Sequence, residues 1–326
     1  MPHAIVLRTD HLGDCLLTTP LIRALSMAGY EVDLLFPAPF LPLFTANPHV
    51  ARVLPLDPHW RRRWLGLAGT LREGRYDLLL LPNAAPWQLP LAGFLSGIPA
   101  RIAMWAGVWG RIMGHRCLRS GLNAHPRPYA DILLDMAREI GIPTAGMELQ
   151  VAVERKRRGV GGSFRVGIHP GSGGSSCNLS PAAYAEFASL ILDETDWQIL
   201  LTGSAAEVRL LEHWPASLLA SPRVINAVGK RTLGDLAEEI AMIDLLVVGS
   251  TGPLHLAAAL GVPTLSPFCH RPALDAPVWG NQNANAVVIR PPFPRSCLEL
   301  GKGNYCDFSG KISPRQMMDR ARSILG

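Results

Sequence analysis

Residues 244–267 read DLLVVGSTGPLHLAAALGVPTLSP, and this stretch decides the fold. Its apolar run at 245–248 is typical of a buried parallel strand. The small residues that follow predict a tight turn, where a ligand can come close to the backbone. Pro253 suits the first position of a helix, and Gly261 suits its end. A strand, a small-residue turn and a helix N-terminus together predict a phosphate site built from backbone N–H groups and the helix dipole.

The rest of the chain continues this alternation of strand and helix. Predicted strands lie at residues 4–8, 32–36, 53–56, 78–81, 165–169, 198–202, 223–226 and 262–265. Predicted helices lie at residues 15–28, 60–73, 129–141, 181–194, 205–213 and 233–242, with a loop at 9–14. Such alternation indicates parallel, Rossmann-like sheets. Residues 89–121 are apolar without a clear period and receive no assignment.

Residues 154–163, ERKRRGVGGS, form the clearest boundary in the chain. They are charged, rich in glycine and without period, as in a flexible linker. We therefore expect one domain at residues 1–153 and a second at residues 164–312. A last amphipathic helix is predicted at 313–326, with Ser313 as its N-cap.

Length and composition favour a globular protein of two domains. The chain has 326 residues, of which 48% are hydrophobic and 17% charged, and this balance excludes a disordered chain. Its formal net charge is +5, and because four of its 31 basic residues are lysine, 27 are arginine. No uncharged apolar run reaches the roughly 18 residues of a membrane span. Six cysteines without a C-x-x-C pair, and a strand at the start, predict a reduced cytoplasmic protein without a targeting segment.

Two further stretches carry a family resemblance together with residues 244–267. They are residues 5–25, IVLRTDHLGDCLLTTPLIRAL, and residues 166–181, VGIHPGSGGSSCNLSP. The three stretches resemble the heptosyltransferases of glycosyltransferase family 9, which add heptose to the lipopolysaccharide core. The resemblance implies the α/β GT-B fold, in which two Rossmann-like domains face a central cleft. It also implies that the first domain holds the acceptor, that the second holds the nucleotide sugar, and that the last helix packs back on the first.

Glycosyl transfer needs a base for the acceptor hydroxyl, and Asp14 is the candidate. It follows a predicted strand at the carboxyl edge of a sheet, where open α/β sheets bind ligands. The resemblance places Asp14 at the family's base and Gly13 beside the donor. The residues alone also allow a helix-terminus carboxylate that the dipole favours. Asp10 is a second candidate, at a position where the family usually carries a small polar residue.

A glycine-rich turn in the second half is expected to hold the donor diphosphate through backbone N–H groups. Its residues are Gly171, Ser172 and Gly173. The family often carries a cation a few residues later, whereas residues 175–180 contain none. Either N–H and hydroxyl donors suffice, or Arg8 or Lys230 supplies the charge.

A second turn, within residues 244–267, is expected to bind the same diphosphate. It contains Ser250, Thr251 and Gly252 and leads into His255. Relatives commonly carry Asp where this chain has Ser250, so recognition of the sugar is expected to differ there. His255 is predicted to hold the diphosphate, and the alternative is a histidine packed in its helix.

Glu207, Thr232 and Leu233 complete the predicted donor site. The resemblance puts an acidic residue near Glu207 on the nucleoside, and an acidic residue at this point of a dinucleotide fold can bind ribose hydroxyls. A solvated first-turn carboxylate is the alternative. The resemblance also places Thr232 and Leu233 where the family lines its base pocket.

No D-x-D motif occurs in the sequence. Metal-dependent glycosyltransferases of the other main fold use such carboxylate pairs to hold a divalent ion against the diphosphate. We therefore expect a metal-free mechanism without a cofactor.

Aromatic and basic residues mix at 59–65 and at 105–119. Such surfaces suit an anionic lipid interface, so an anionic glycolipid acceptor on the inner face of the inner membrane is an expected partner. A core edge with solvated arginines is the alternative. Nucleic acid is not expected, because no binding motif accompanies the charge.

The combined prediction is a metal-independent, inverting glycosyltransferase. The resemblance implies heptose from ADP-heptose as the donor and a lipopolysaccharide core or related bacterial surface glycan as the acceptor, whereas the residues themselves imply only a nucleotide sugar. The alternative is a non-catalytic nucleotide-sugar-binding homologue that acts as a partner or regulator. A dehydrogenase is disfavoured because the first turn lacks G-x-G-x-x-G.

Overall fold

The chain divides into two compact units, Met1–Ala152 and Val153–Gly326. The computed structural model describes residues 1–83, 85–118, 126–156, 162–174, 176–271, 274–291 and 311–326. The division falls next to the predicted linker, of which residues 157–161 lie outside the described residues.

A parallel sheet of six strands forms the centre of the first unit. Its strands are β1 (His3–Leu7), β2 (Glu31–Pro37), β3 (Arg52–Leu56), β4 (Leu78–Leu81), β5 (Ala100–Met104) and β6 (Arg116–Leu118). They lie in the order β3-β2-β1-β4-β5-β6. The order reverses between β1 and β4, which creates the crevice where open α/β sheets bind ligands.

The helices of the first unit cover this sheet. They are α1 (Leu12–Leu17), α2 (Thr19–Met27), α3 (Trp64–Glu73), α4 (Gln88–Leu95), α5 (Gly107–Ile112) and α6 (Tyr129–Arg138). The predicted loop 9–14 is too long, because α1 already begins at Leu12. The predicted helix 15–28 is divided at Thr18, the C-cap of α1, whose hydroxyl donates to the carbonyl of Asp14. The unassigned residues 89–121 contain α4, β5, α5 and β6 up to residue 118, and the remainder lies outside the described residues.

The second unit contains another parallel sheet with the same winding. Its strands are β7 (Arg165–His169), β8 (Gln198–Leu201), β9 (Val224–Asn226), β10 (Leu245–Val248), β11 (Thr264–Pro267) and β12 (Ala286–Ile289). They lie in the order β12-β11-β10-β7-β8-β9 and reverse between β7 and β10. The prediction of two Rossmann-like sheets is therefore confirmed.

Helices also pack on the second sheet. They are α7 (Pro181–Glu194), α8 (Ala216–Leu219), α9 (Leu233–Ala241), α10 (Gly252–Ala259), α11 (Ala276–Trp279) and α12 (Pro314–Leu325). Residues 205–213, predicted as an α-helix, instead form a 3₁₀ helix at Ala205–Leu211, which Glu207 ties back to Ser204. No helix in the parts of the chain that the structure describes is long and apolar enough to cross a membrane.

The last helix, α12, joins the core of the second unit. Ser313 caps it as predicted, because its hydroxyl accepts from the Gln316 N–H. Met317 and Met318 are buried in the core of this unit, and Arg315 pairs with Glu194 at the end of α7. Packing of α12 on the first unit stays a prediction.

Candidate active site

A buried ion pair lies at the carboxyl edge of the first sheet, directly after β1. Arg8 is fully buried, and its Nε and Nη2 donate to the two carboxylate oxygens of Asp10 at 2.8 and 2.7 Å. Its Nη1 donates to the Thr18 hydroxyl at 2.8 Å. Buried charges persist when they are paired and hydrogen-bonded in this way. The positive charge of Arg8 is therefore paired with Asp10 within the first unit, next to the predicted base Asp14.

Asp14 lies in the first turn of α1, beside that pair. Its Oδ1 is 3.6 Å from Nη2 of Arg8, too long for a hydrogen bond, and its side chain is 20% exposed. Burial raises the pKa of Asp14, the positive charge of Arg8 opposes this, and the negative charge of Asp10 adds to it, so that the pKa lies above its usual range. A carboxylate with a raised pKa and an exposed edge is suited to take a proton. The same position also fits the alternative of a first-turn carboxylate.

Two residues that the sequence analysis missed complete this edge. Asn83 follows β4, donates to the Thr9 hydroxyl at 2.9 Å, and has a buried Oδ1 without a partner among the described residues. The Tyr129 hydroxyl of α6 donates to the carbonyl of Pro82 at 3.4 Å. Asn83 was detectable as a polar residue after four consecutive leucines, whereas Tyr129 reaches the edge only through the packing of α6.

The first glycine-rich turn follows β7, at the reversal of the second sheet. Gly173 and Gly174 have φ values of 52° and 80°, which side chains rarely tolerate. Asn178 holds the turn, because its amide donates to the carbonyl of Pro170 at 3.0 Å and its Oδ1 accepts from the buried Tyr184 hydroxyl at 2.7 Å. The backbone of this turn is therefore fixed before any ligand arrives.

Glu207, at the start of the 3₁₀ helix, accepts a hydrogen bond from the same turn. Its Oε1 accepts from the N–H of Gly173 at 3.3 Å, and its Oε2 accepts from the N–H and the hydroxyl of Ser204 at 2.8 and 2.9 Å. A Cβ on Gly171 would stand 1.8 Å from Oε1, so a side chain at this position would displace the Glu207 carboxylate. Burial acts to raise the pKa of Glu207, but the hydrogen bonds from Ser204 and Gly173 act against it, and the pKa is lowered. Glu207 is thus an ionised clamp on the turn, and its contact with a ribose stays a prediction.

The second turn follows β10, directly beside the first. Thr251 is the N-cap of α10, yet its buried hydroxyl has no partner among the described residues, and neither has the buried Nδ1 of His255. Burial lowers the pKa of His255 to about 4, so its ring is neutral at pH 7. A Cβ on Gly249 would stand 2.8 Å from Oδ1 of Asn178, which shows how closely the two turns approach. Two unpartnered buried polar groups at a helix N-terminus suit an anionic ligand.

The structure also locates the remaining predicted residues, whose roles at the donor stay predictions. Thr232 caps α9, since its hydroxyl accepts from the Asp235 N–H at 3.2 Å, and Leu233 is the first residue of that helix. Lys230 donates to the carbonyl of Asn226 at 3.0 Å. Gly13 is buried in α1, in the first unit. Ser172 and Ser250 lie in the first and second turns.

Acidic and sulfur-containing side chains do not cluster for a metal in the parts of the chain that the structure describes. There, no group of three or more His, Cys, Asp or Glu side chains is placed to hold a metal ion.

Comparisons with known proteins concern the family and the fold of the chain. Residues 147–298 match the family model of glycosyltransferase family 9 (heptosyltransferase). The chain is 27% identical over 290 residues to lipopolysaccharide heptosyltransferase 2 of Escherichia coli, covering 80% of this chain and 81% of that protein. Its fold is similar to a family 9 glycosyl transferase from Veillonella parvula, with a TM-score of 0.78, 20% identity and coverage of 99% and 97% of the two chains. It is also similar to an E. coli heptosyltransferase solved with ADP, with a TM-score of 0.70, 17% identity and coverage of 98% and 97%.

Proposed function

We propose that the chain, of which residues 147–298 match the model of glycosyltransferase family 9, transfers heptose from ADP-heptose to a lipopolysaccharide core or a related bacterial surface glycan. One observation carries the proposal: the two turns after β7 and β10 lie side by side, with the unpartnered polar atoms of Thr251 and His255 at the second. A relative named for heptose transfer and a similar fold solved with ADP support this choice of donor.

In this proposal the donor diphosphate lies on the two turns. The N–H groups at residues 171–174 and at the N-terminus of α10 face its oxygens, and Thr251 donates its hydroxyl proton. His255 is neutral at pH 7 because burial lowers its pKa to about 4, so its ring offers one N–H donor without a charge. These donors stabilise the leaving diphosphate electrostatically, without a metal ion.

The reaction is a single displacement with inversion. The acceptor hydroxyl oxygen attacks the anomeric carbon while the bond from that carbon to the diphosphate breaks. Its proton passes to the carboxylate of Asp14, and ADP leaves. The raised pKa of Asp14, caused first by burial, improves it as a proton acceptor.

Asp14→Asn tests the base. Asparagine keeps the size and polarity of the side chain but cannot accept a proton, so turnover should fall by roughly 10²–10⁴-fold while ADP binding stays intact. Turnover is measured as ADP release with a heptose-deficient lipopolysaccharide acceptor. Asp57→Asn removes an exposed carboxylate of the same unit, paired with Arg63, and is the matched control. Normal turnover in Asp14→Asn, with stability lower by at most about 1 kcal/mol, would instead make Asp14 a helix-terminus carboxylate.

Metal independence has a separate test. Calorimetry should show ADP binding of equal strength with and without EDTA. Loss of ADP binding in EDTA would contradict the metal-free mechanism.

The alternative function is nucleotide-sugar binding without catalysis. Two basic residues that could have supplied charge to the diphosphate favour this alternative, because each already has a partner. Arg8 is paired with Asp10, and Lys230 donates to a backbone carbonyl. A wild-type protein that binds ADP-heptose but transfers no sugar to any lipopolysaccharide-core acceptor would establish this alternative.

An anionic glycolipid acceptor would bring the first unit to the cytoplasmic face of the inner membrane. Exposed apolar side chains lie on α3, α4 and α5, and they include Leu65, Trp87, Phe94, Val108, Trp109 and Ile112. Trp109 is 61% exposed and shares α5 with Arg111, whereas Trp60 of the other predicted segment is buried. Arg119 lies outside the described residues. An apolar surface beside arginines suits anionic headgroups.

Vesicle co-sedimentation at low salt tests this surface. Wild-type protein should bind anionic vesicles more than neutral ones and lose the difference at high salt. Trp109→Ala combined with Ile112→Ala should weaken binding, and Val208→Ala, an exposed apolar change in the second unit, is the control. Equal recovery from both kinds of vesicle would remove the membrane from the proposal.

A further inference from the structure

The contacts of Arg8 divide unequally between two carboxylates. Asp10 receives two hydrogen bonds from the guanidinium, at 2.8 and 2.7 Å, whereas the nearest oxygen of Asp14 is 3.6 Å away. Both carboxylates are partly exposed, with side-chain exposures of 26% and 20%. Two-point pairing of an arginine with one carboxylate fixes the plane of the guanidinium as well as its position. Arg8 is therefore oriented by Asp10.

Further contacts hold the guanidinium in this orientation. The Thr18 hydroxyl accepts from Nη1 of Arg8 at 2.8 Å and donates to the carbonyl of Asp14 at 2.8 Å. Because Thr18 lies at the junction of α1 and α2, this link also fixes the turn of α1 that carries Asp14. The Tyr129 side chain of α6 lies against Arg8 from another side. Arg8 is held from three elements, and only its long contact to Asp14 is not a hydrogen bond.

We propose that Asp10 is a positioning residue for transfer: it binds Arg8 at two points and so keeps Asp14 from forming the same pair, which leaves the oxygens of Asp14 open to the acceptor hydroxyl. This inference rests on the proposed role of Asp14 as the base. Without the negative charge of Asp10, the guanidinium turns to the only other carboxylate within its reach in the described residues, Asp14. That carboxylate then forms a close ion pair and becomes a weaker base.

The charges around Asp14 set the sign of the expected effect. Arg8 lowers the pKa of Asp14, Asp10 raises it, and the His11 ring and backbone N–H of its own turn lower it. Tyr129 and Cys15 also face Asp14, and both are neutral at pH 7, because burial raises the pKa of each. Removing Asp10 should therefore lower the pKa of Asp14, both by losing a negative neighbour and by bringing Arg8 closer.

The experiment is a carbon-detected NMR titration of the full chain labelled at aspartate carboxyl carbons, with the Asp14 signal assigned by its loss in Asp14→Asn. In Asp10→Asn the midpoint for Asp14 should move to lower pH than in wild type. The acid limb of the kcat profile should move the same way, with a loss of turnover smaller than in Asp14→Asn. Asp57→Asn, the same change at an exposed ion pair, should leave the Asp14 midpoint unchanged.

A second variant covers the risk that Asp10→Asn leaves a buried arginine unpaired and does not fold. In Arg8→Gln combined with Asp10→Asn, no charged pair remains, and the Asp14 midpoint should rise above that of wild type. An Asp14 midpoint that is the same in wild type and Asp10→Asn, or that falls in the double variant, overturns the positioning role whether or not the wild type transfers sugar. A wild type that transfers no sugar overturns the proposed function, and with it the base, even where Asp10→Asn moves the midpoint.

Discussion

The change Gly171→Ala tests whether Glu207 fixes the first glycine-rich turn, after β7. A Cβ at Gly171 would stand 1.8 Å from Oε1 and 2.2 Å from Cδ of Glu207, so the carboxylate has to leave its position. The backbone at Gly171 is not in the left-handed region, and alanine meets no strain from its own conformation. The effect of the substitution is therefore an effect on Glu207.

The contacts that Glu207 gives up set the magnitude. Its carboxylate accepts three hydrogen bonds, one from Gly173 and two from Ser204, and the bond to Gly173 is long at 3.3 Å. Hydrogen bonds to a charged group contribute about 1.5–3 kcal/mol each, and the displaced carboxylate recovers part of this in water. We expect Gly171→Ala to lower the free energy of unfolding of the second unit by about 2–4 kcal/mol.

Urea titration of the full chain measures this change, and two variants serve as controls. Gly66→Ala lies in α3, where an added Cβ meets nothing within 4 Å, so it should stabilise by about 1 kcal/mol. In a Glu207→Ala background, Gly171→Ala should cost less than about 1 kcal/mol, because the clash is gone. The reasoning is refuted if Gly171→Ala is as stable as wild type, or if it costs as much in the Glu207→Ala background. ADP affinity should fall together with stability, since the turn loses its fixed shape.

Two further predictions concern stability. Burial lowers the pKa of His255 from 6.5 to about 4, so the unfolded chain binds this proton before the folded chain does on acidification. The contribution of His255 to the free energy of unfolding is therefore complete above pH 6.5. It is lost as the pH falls from 6.5 to 4, by about 3 kcal/mol in all. The melting temperature of His255→Gln should accordingly fall less than that of wild type between pH 7 and pH 4, and an equal fall in both proteins would contradict this. Asp33 is fully buried within β2 and accepts from Arg52 and from the Tyr76 hydroxyl. Asp33→Asn should cost about 3 kcal/mol in urea titration, at the low end for a broken buried pair because Arg52 is half exposed and can be hydrated, and a cost below about 1 kcal/mol would show that the pair contributes little.

Local patterns in the sequence were enough to predict most of the secondary structure. The apolar run at 78–81 matches β4, the run at 245–248 matches β10, and Ser313 caps α12. These features depend on residues within about one helical turn or one strand of each other. The prediction was wrong where two signals overlapped: residues 12–14 combine a glycine with helix-forming neighbours, and the structure continues the helix through them.

The positions of the main segments of the candidate site were also predictable from local sequence patterns. The positions of both turns follow from a buried strand with glycines after it, and the position of Asp14 follows from its place after β1, whereas their roles in binding and catalysis stay predictions. The second role of Glu207 as a clamp on the turn was not predictable, because it depends on a contact across 34 residues of chain. The cap that Thr232 forms on α9 depends only on residues 232–235, and the sequence analysis did not predict it.

Local sequence patterns fix most of the segments that become strands, with β5, β6 and β12 as exceptions, and they show which turns carry glycine and which residues can donate or accept a proton. Only the tertiary structure decided which of these groups share a partner. Arg8 was a possible cation for the donor diphosphate until its buried position showed it bound to Asp10 and Thr18. In the sequence, Asn178 was one residue of a segment without a cation. In the fold, its side chain lies between the two turns: its amide donates to the carbonyl of Pro170, and its Oδ1 lies beside Gly249. The physical reason is that the order and register of parallel strands bring distant carboxyl ends together, and no local period in the chain encodes that order.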